Sequence, residues 1–120
     1  MNILGIGVDI LELERVATIR CRERFAEYFL TPSEMRMFAA SKDPVRFVAS
    51  RFAAKEAVIK AFPGALCPHE FEIIKDAAKP TVRFASEDMR EYRAFVSISH
   101  STDYVIGYAA VTGNEQHETP

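Results

Sequence analysis

The sequence predicts an α+β domain in which a long helix packs on a mainly antiparallel sheet. Three observations carry that prediction. One apolar strand opens the chain, helical segments follow, and several strands close it, an order that segregates most of the sheet from the helices. The 120 residues are 48% hydrophobic and 27% charged, with five Gly and six Pro, which excludes disordered and fibrous compositions. A chain of this length buries about two thirds of its unfolded surface, enough for one core and too little for a cleft between two domains. A deep site in so small a domain is best built by oligomerising, because a groove between subunits adds walls.

Each element has its own signal. Asn2 to Ile10, with Ile3, Leu4, Ile6, Val8 and Ile10 around Gly5 and Gly7, reads as a strand buried on both faces that stops at Asp9. The two glycines read as allowing close strand packing. Leu11 to Arg24 reads as helical. Thr31-Pro32-Ser33-Glu34 starts a further helix, with Thr31 as cap, Pro32 in the first turn and Glu34 closing a capping box. Asp43-Pro44 opens the long helix in the same way, and Pro63-Gly64 ends it after Phe62. Glu70 to Lys75, Thr81 to Phe84 and Arg93 to His100 read as extended, with a short helix at Ser86 to Tyr92. Ser101-Thr102-Asp103 is a hairpin turn into a last strand, Tyr104 to Thr112. Residues 1–112 then form one domain, and 113–120 a flexible polar tail.

Charge and cysteine usage exclude several classes. A net charge of −2 does not suit a general nucleic-acid binder, so anions must be met by local clusters. Cys21 and Cys67 have neither CxxC spacing nor the density of a disulfide framework, which points to a reducing, cytoplasmic compartment. The opening apolar run has no basic flank and meets Asp9 early, arguing against a signal peptide or membrane span.

Four features break the packing pattern. At about 100° per residue Val45, Val48, Phe52 and Ile59 share one stripe of the long helix, and Glu56 falls in it. A carboxylate there needs a cation, a metal or a solvent channel. An i,i+4 pair with Lys60 is the bland solution, and a metal site the other. Asp9 interrupts the first strand, as a helix N-cap or, together with Glu56, as a Mg²⁺ ligand; two carboxylates suffice if the substrate brings a phosphate chain. Alternation puts Val96, Ile98 and His100 on one face of the late strand and Phe95, Ser97 and Ser99 on the other, so His100 ends an apolar row as a structural residue or a catalytic one. Arg15, Arg20, Arg22 and Arg24 crowd one segment, as a solvated face or a docking surface for an acidic protein.

Three segments together are more specific than any alone. Gly5-Ile6-Gly7-Val8-Asp9-Ile10, then Arg51-Phe52-Ala53-Ala54-Lys55-Glu56-Ala57-Val58-Ile59-Lys60-Ala61, then Ser97-Ile98-Ser99-His100-Ser101 resemble the 4′-phosphopantetheinyl transferases in order and spacing, with Glu12 and Arg15 also in place. The resemblance covers about residues 3 to 111. It implies an enzyme of fatty acid and lipid metabolism that transfers the phosphopantetheine arm of coenzyme A to a serine hydroxyl of apo-acyl carrier protein, releasing adenosine 3′,5′-bisphosphate. It also implies Mg²⁺ held by Asp9 and Glu56, with Asp9, Glu56, Lys60 and His100 as the catalytic set. Lys55, Lys60, Gly64, His100 and Ser101 would line the coenzyme, and Arg15 and Arg24 would dock the carrier. The family's small members are homotrimers with sites at subunit interfaces, the serine-histidine segment facing the neighbour's metal carboxylates.

The sequence departs from the family where Phe62-Pro63-Gly64-Ala65 replaces a Gly-Thr-Gly loop, and where Ala78 replaces a glycine before Lys79-Pro80. Proline has no N–H to offer a phosphate. Two other functions are compatible with these residues: a diverged, non-catalytic module that binds acyl carrier protein, and an unrelated small phosphoesterase using the same carboxylates.

Overall fold

Asp43 starts the element around which the others are arranged. Its Oδ1 accepts a hydrogen bond from Arg46 N at 3.2 Å, and the helix runs Pro44–Ala61. The structure, a computed structural model, describes residues 1–76 and 79–114. In chain order the elements are β1 (Asn2–Glu12), α1 (Leu13–Ala17), α2 (Arg22–Glu27), α3 (Pro32–Ala39) and α4 (Pro44–Ala61). A 3₁₀ turn, Pro68–Glu70, leads into β2 (Phe71–Asp76) and β3 (Lys79–Phe84); a second, Glu87–Met89, leads into β4 (Arg93–His100) and β5 (Tyr104–Gly113).

The strands pair antiparallel throughout, as a three-stranded sheet of order β1-β5-β4 and a separate β2-β3 hairpin. Ser101 makes the β4–β5 turn: its Oγ accepts from Asp103 N at 3.3 Å and from Tyr104 N at 3.2 Å. α4 lies on β1 and β5, and small residues set how closely. Ala53, Ala57 and Ala61 form one i,i+4 ridge, and a Cβ on Gly107, Gly7 or Gly5 would collide with the carbonyls of those three alanines in turn. The glycines therefore allow the close strand packing expected of them, with the helix as the partner.

Two apolar clusters flank α4. One gathers Val58, Phe71, Ile73 and Val111, and the other Val16, Phe29, Leu30, Val48 and Val105. In the second, the rings of Phe25, Phe29 and Phe52 meet pairwise at 5.2–5.5 Å.

Several sequence expectations are revised. β1 continues three residues past Asp9, which pairs with Gly107 inside the ladder and is not a helix N-cap. Nor is β1 covered on both faces, since Ile6, Val8 and Ile10 are each more than half exposed. The single helix expected over Leu11 to Arg24 is two short ones. Thr18 ends the first, its Oγ1 donating to Glu14 O at 3.0 Å, a local bond that competes with helix continuation. The stripe of Val45, Phe52, Glu56 and Ile59 is half-buried, because the deepest face of α4 is its alanine ridge. Ser86 to Tyr92 holds only the Glu87–Met89 turn. At the C-terminal end β5 includes Gly113; residues 115–120 of the expected tail, and Ala78, lie outside the described residues.

Candidate functional site

Asp9 is placed by the glycine seam. Gly5, Gly7, Asp9 and Leu11 share the face of β1 that meets α4, so the first polar side chain beyond the two glycines is delivered to the helix. Lys60 comes down from α4 beside Gly7 and pairs with Asp9, Nζ to Oδ1 3.1 Å, while also donating to Val8 O at 3.0 Å. Glu56 stands one helical turn before Lys60, half-buried on the same side. The i,i+4 pair between Glu56 and Lys60 does not form; among the described residues the ion-pair partner of Lys60 is Asp9. That leaves Glu56 without an ion pair or hydrogen-bond partner among the described residues, one helical turn from a lysine whose partner carboxylate has a side chain 18% exposed.

An exposed ammonium paired with one carboxylate, with a second carboxylate one helical turn away, offers oxygen donors to a divalent cation and positive charge to a phosphate chain. Among the described residues no three His, Cys, Asp or Glu gather as a complete metal cage. Mg²⁺ does not require one, because it keeps waters and substrate oxygens among its six ligands.

The other candidates sit apart. His100 ends β4 on the face shared by Val96 and Ile98, as alternation predicts, and is exposed. It pairs with Val105, which pairs with Leu11, so two ladder spacings, about 10 Å, separate His100 from β1 within one chain. Ser101 is exposed and its Oγ is engaged in the hairpin turn. After α4, Phe62 folds onto Tyr92 at 4.8 Å between ring centroids, and Pro63, Gly64 and Ala65 are exposed, with open space around Gly64. Arg15 on α1 and Arg24 on α2 are exposed and have no ion pair among the described residues. Tyr28, one turn beyond Arg24, is 74% exposed.

Lys55 is a correction. The resemblance has it lining the coenzyme, but its side chain is 1% exposed and its ammonium is paired with Glu34 Oε1 at 2.7 Å. It also donates to Phe29 O, Pro68 O and Phe71 O at 2.7–2.9 Å. Burial pulls this ammonium below the ordinary lysine range, and Glu34 offsets part of that.

Glu34, 0% exposed, is the fully buried acid among the described residues, and its local sequence signals only the closure of a capping box. That box exists: Glu34 N donates to Thr31 Oγ1 at 3.2 Å and Thr31 N to Glu34 Oε1 at 2.9 Å. Glu34 Oε2 additionally accepts from Ile73 N at 2.8 Å. Beside it Glu72 accepts from Thr31 Oγ1 at 2.7 Å and pairs with Arg83 at 3.0 Å, bonds that hold its carboxyl below the usual range, the Thr31 bond foremost. The only sequence signal for this network was Lys55 sharing a helix face with Val48 and Phe52; nothing local pointed to its partner on α3.

A profile of the 4′-phosphopantetheinyl transferase superfamily matches residues 5–109. The chain is 44% identical over 93 residues to a holo-[acyl-carrier-protein] synthase of Yersinia pestis, covering 72% of this chain and 74% of that one. Its fold is similar to the holo-[acyl-carrier-protein] synthase of Neisseria meningitidis, with TM-score 0.82, 31% identity and coverage of 92% and 99% of the two chains. It is likewise similar to that of Bacillus anthracis in complex with CoA (3′,5′-ADP), with TM-score 0.80, 32% identity and coverage of 93% and 98%.

Proposed function

The chain belongs to the 4′-phosphopantetheinyl transferase superfamily, and from that premise we propose that it moves the 4′-phosphopantetheine arm of coenzyme A onto a serine hydroxyl of apo-acyl carrier protein. The serine oxygen attacks the β-phosphate, the bond to the departing nucleotide breaks, and adenosine 3′,5′-bisphosphate leaves. The observation that supports this reading is the Asp9–Lys60 pair at 3.1 Å, with Glu56, unpaired among the described residues, one helical turn before Lys60. Its oxygen donors fit Mg²⁺, which Asp9 and Glu56 would hold and which would supply charge neutralisation on the pyrophosphate.

The protein's own groups do the rest. Lys60, whose side chain is 51% exposed, is free to trade the Asp9 carboxylate for a phosphate oxygen. The open Gly64 loop lies just past the end of α4 and would receive the nucleotide end of the donor. Pro63 removes one N–H from that loop and the loop's side chains are apolar, so phosphate contacts there would come from the N–H groups of Gly64 and Ala65. Arg15 and Arg24 would dock the acidic carrier, steering its approach.

His100 and Ser101 enter through a second subunit. Ile6, Val8 and Ile10 of β1, Ile106 and Tyr108 of β5 and Phe95 of β4 make an uncovered apolar sheet face. Such a face in a small chain favours self-association, and a homotrimer would bring the end of β4 from one copy to the Asp9 seam of the next. No helix is long and apolar enough to cross a membrane among the described residues. Activity in the cytoplasm, within fatty acid biosynthesis, follows from this reading.

The test is the intact mass of an apo-acyl carrier protein incubated with the protein, coenzyme A and Mg²⁺. A gain of one phosphopantetheine arm, lost with chelator, is expected. No gain across several carriers that nevertheless bind would replace the enzyme with a non-catalytic carrier-binding module.

A further inference from the structure

Lys55 stands one residue before Glu56, yet it points away from the seam. Four acceptors surround its Nζ: Glu34 Oε1 and Pro68 O at 2.7 Å, Phe71 O at 2.8 Å and Phe29 O at 2.9 Å. An ammonium has three protons, so none is left for a substrate oxygen, and at 1% exposure no phosphate can approach.

The acceptors have their chain positions in common. Phe29 lies just past α2, the helix that carries Arg24. Pro68 and Phe71 bracket the 3₁₀ turn that leads from the Gly64 loop into β2. Glu34 joins β2, which follows that turn, to α3 by accepting from Ile73 N at 2.8 Å. His69 holds the end of α2 at a second point, its Nε2 2.9 Å from Glu27 O. One buried side chain thus ties the docking helix and the chain following the coenzyme loop to the helix that carries Glu56 and Lys60.

We infer that Lys55 is a positioning residue that fixes the end of α2 and the 66–73 segment on α4, and that it makes no contact with coenzyme A. Its effect on the carrier rests on the docking reading of Arg15 and Arg24; its effect on the two segments does not.

The experiment compares Lys55→Met with Lys60→Ala at a temperature where both are folded. It records amide hydrogen exchange, coenzyme A affinity with Mg²⁺ by calorimetry, and KM and kcat for the carrier. In Lys55→Met, exchange over 28–34 and 66–73 should quicken by about tenfold or more. Coenzyme A affinity should stay within about threefold, while carrier KM rises by about tenfold, more than kcat falls. Lys60→Ala should reverse the pattern, weakening coenzyme A by about tenfold or more with exchange unchanged. If Lys55→Met does not fold, Glu34→Gln, which keeps the ammonium and its three carbonyls, should give the Lys55→Met pattern at smaller amplitude. A loss of coenzyme affinity in these variants with exchange unchanged overturns the inference. Failure of the wild-type protein to modify any carrier would instead defeat the proposed function, and the exchange pattern would still decide the role of Lys55.

Discussion

Two lysine–carboxylate pairs five residues apart on one helix have opposite characters. Lys55 and Glu34 meet at 2.7 Å with side chains 1% and 0% exposed, and further bonds saturate both. Lys60 and Asp9 meet at 3.1 Å with 51% and 18% exposed, and Glu56 nearby is left unpaired among the described residues. A saturated dry pair is held in one arrangement, because losing either partner strands a buried charge. A wet, under-coordinated pair has little to lose on exchanging partners, which is what a site that must accept a cation and phosphates needs. The difference teaches that a lysine inside a signature segment declares its role by what its protons already hold.

Removing Asp9 from the open pair, or Glu56 one helical turn before Lys60, should separate the two most sharply. Asp9→Ala and Glu56→Ala are each expected to lower transfer by about 10³-fold or more with the thermal midpoint close to wild type, as measured by carrier mass gain and calorimetry. Full activity in either variant would dissolve the distinction. Lys60→Ala should cost about 10²-fold in kcat/KM, again with little change in stability. Breaking the closed pair should do the reverse: Lys55→Met is expected to lose about 3–5 kcal/mol of stability by denaturant titration. Arg24→Glu lies outside both pairs and should raise carrier KM by about tenfold, less at high salt, leaving coenzyme A binding unchanged.

The smallest effect concerns acid. Thr31 and Arg83 depress the Glu72 carboxyl, so its contribution is present above the ordinary glutamate value of about 4.3 and is lost as pH falls through the lower folded value. Replacing it by Gln should flatten the loss of thermal stability in that acid window, and an unchanged profile would remove Glu72 from the buried network.

Local chemistry is what made the sequence readable. The Thr31 capping box, the Asp43 cap, the Ser101 turn and the alternation that puts His100 beside Ile98 each depend on residues a few positions apart, and each is present. Asp9 stood out because a charge in an apolar strand is locally anomalous. The features that escaped reading are all non-local. Glu34 and Lys55 are separated by a helix boundary and a loop, and only the packed fold makes them neighbours. β1 looked doubly buried because an apolar run says that a face wants cover, not what supplies it; within one chain Ile6, Val8 and Ile10 have none. The short break at Thr18 turned on a side chain competing for backbone carbonyls, which periodicity cannot see.

The height of Glu56 and Lys60 above the sheet is set by the missing Cβ atoms of Gly5, Gly7 and Gly107. Any side chain there would act as a shim under α4, lifting both groups away from Asp9 together without touching either. A displacement of about 1 Å is enough to cost 10²-fold in rate when reacting groups must be aligned. The tolerance of this site is therefore machined into three positions that carry no functional group. A search for activity-destroying substitutions should turn up alanine at Gly7 alongside alanine at Asp9.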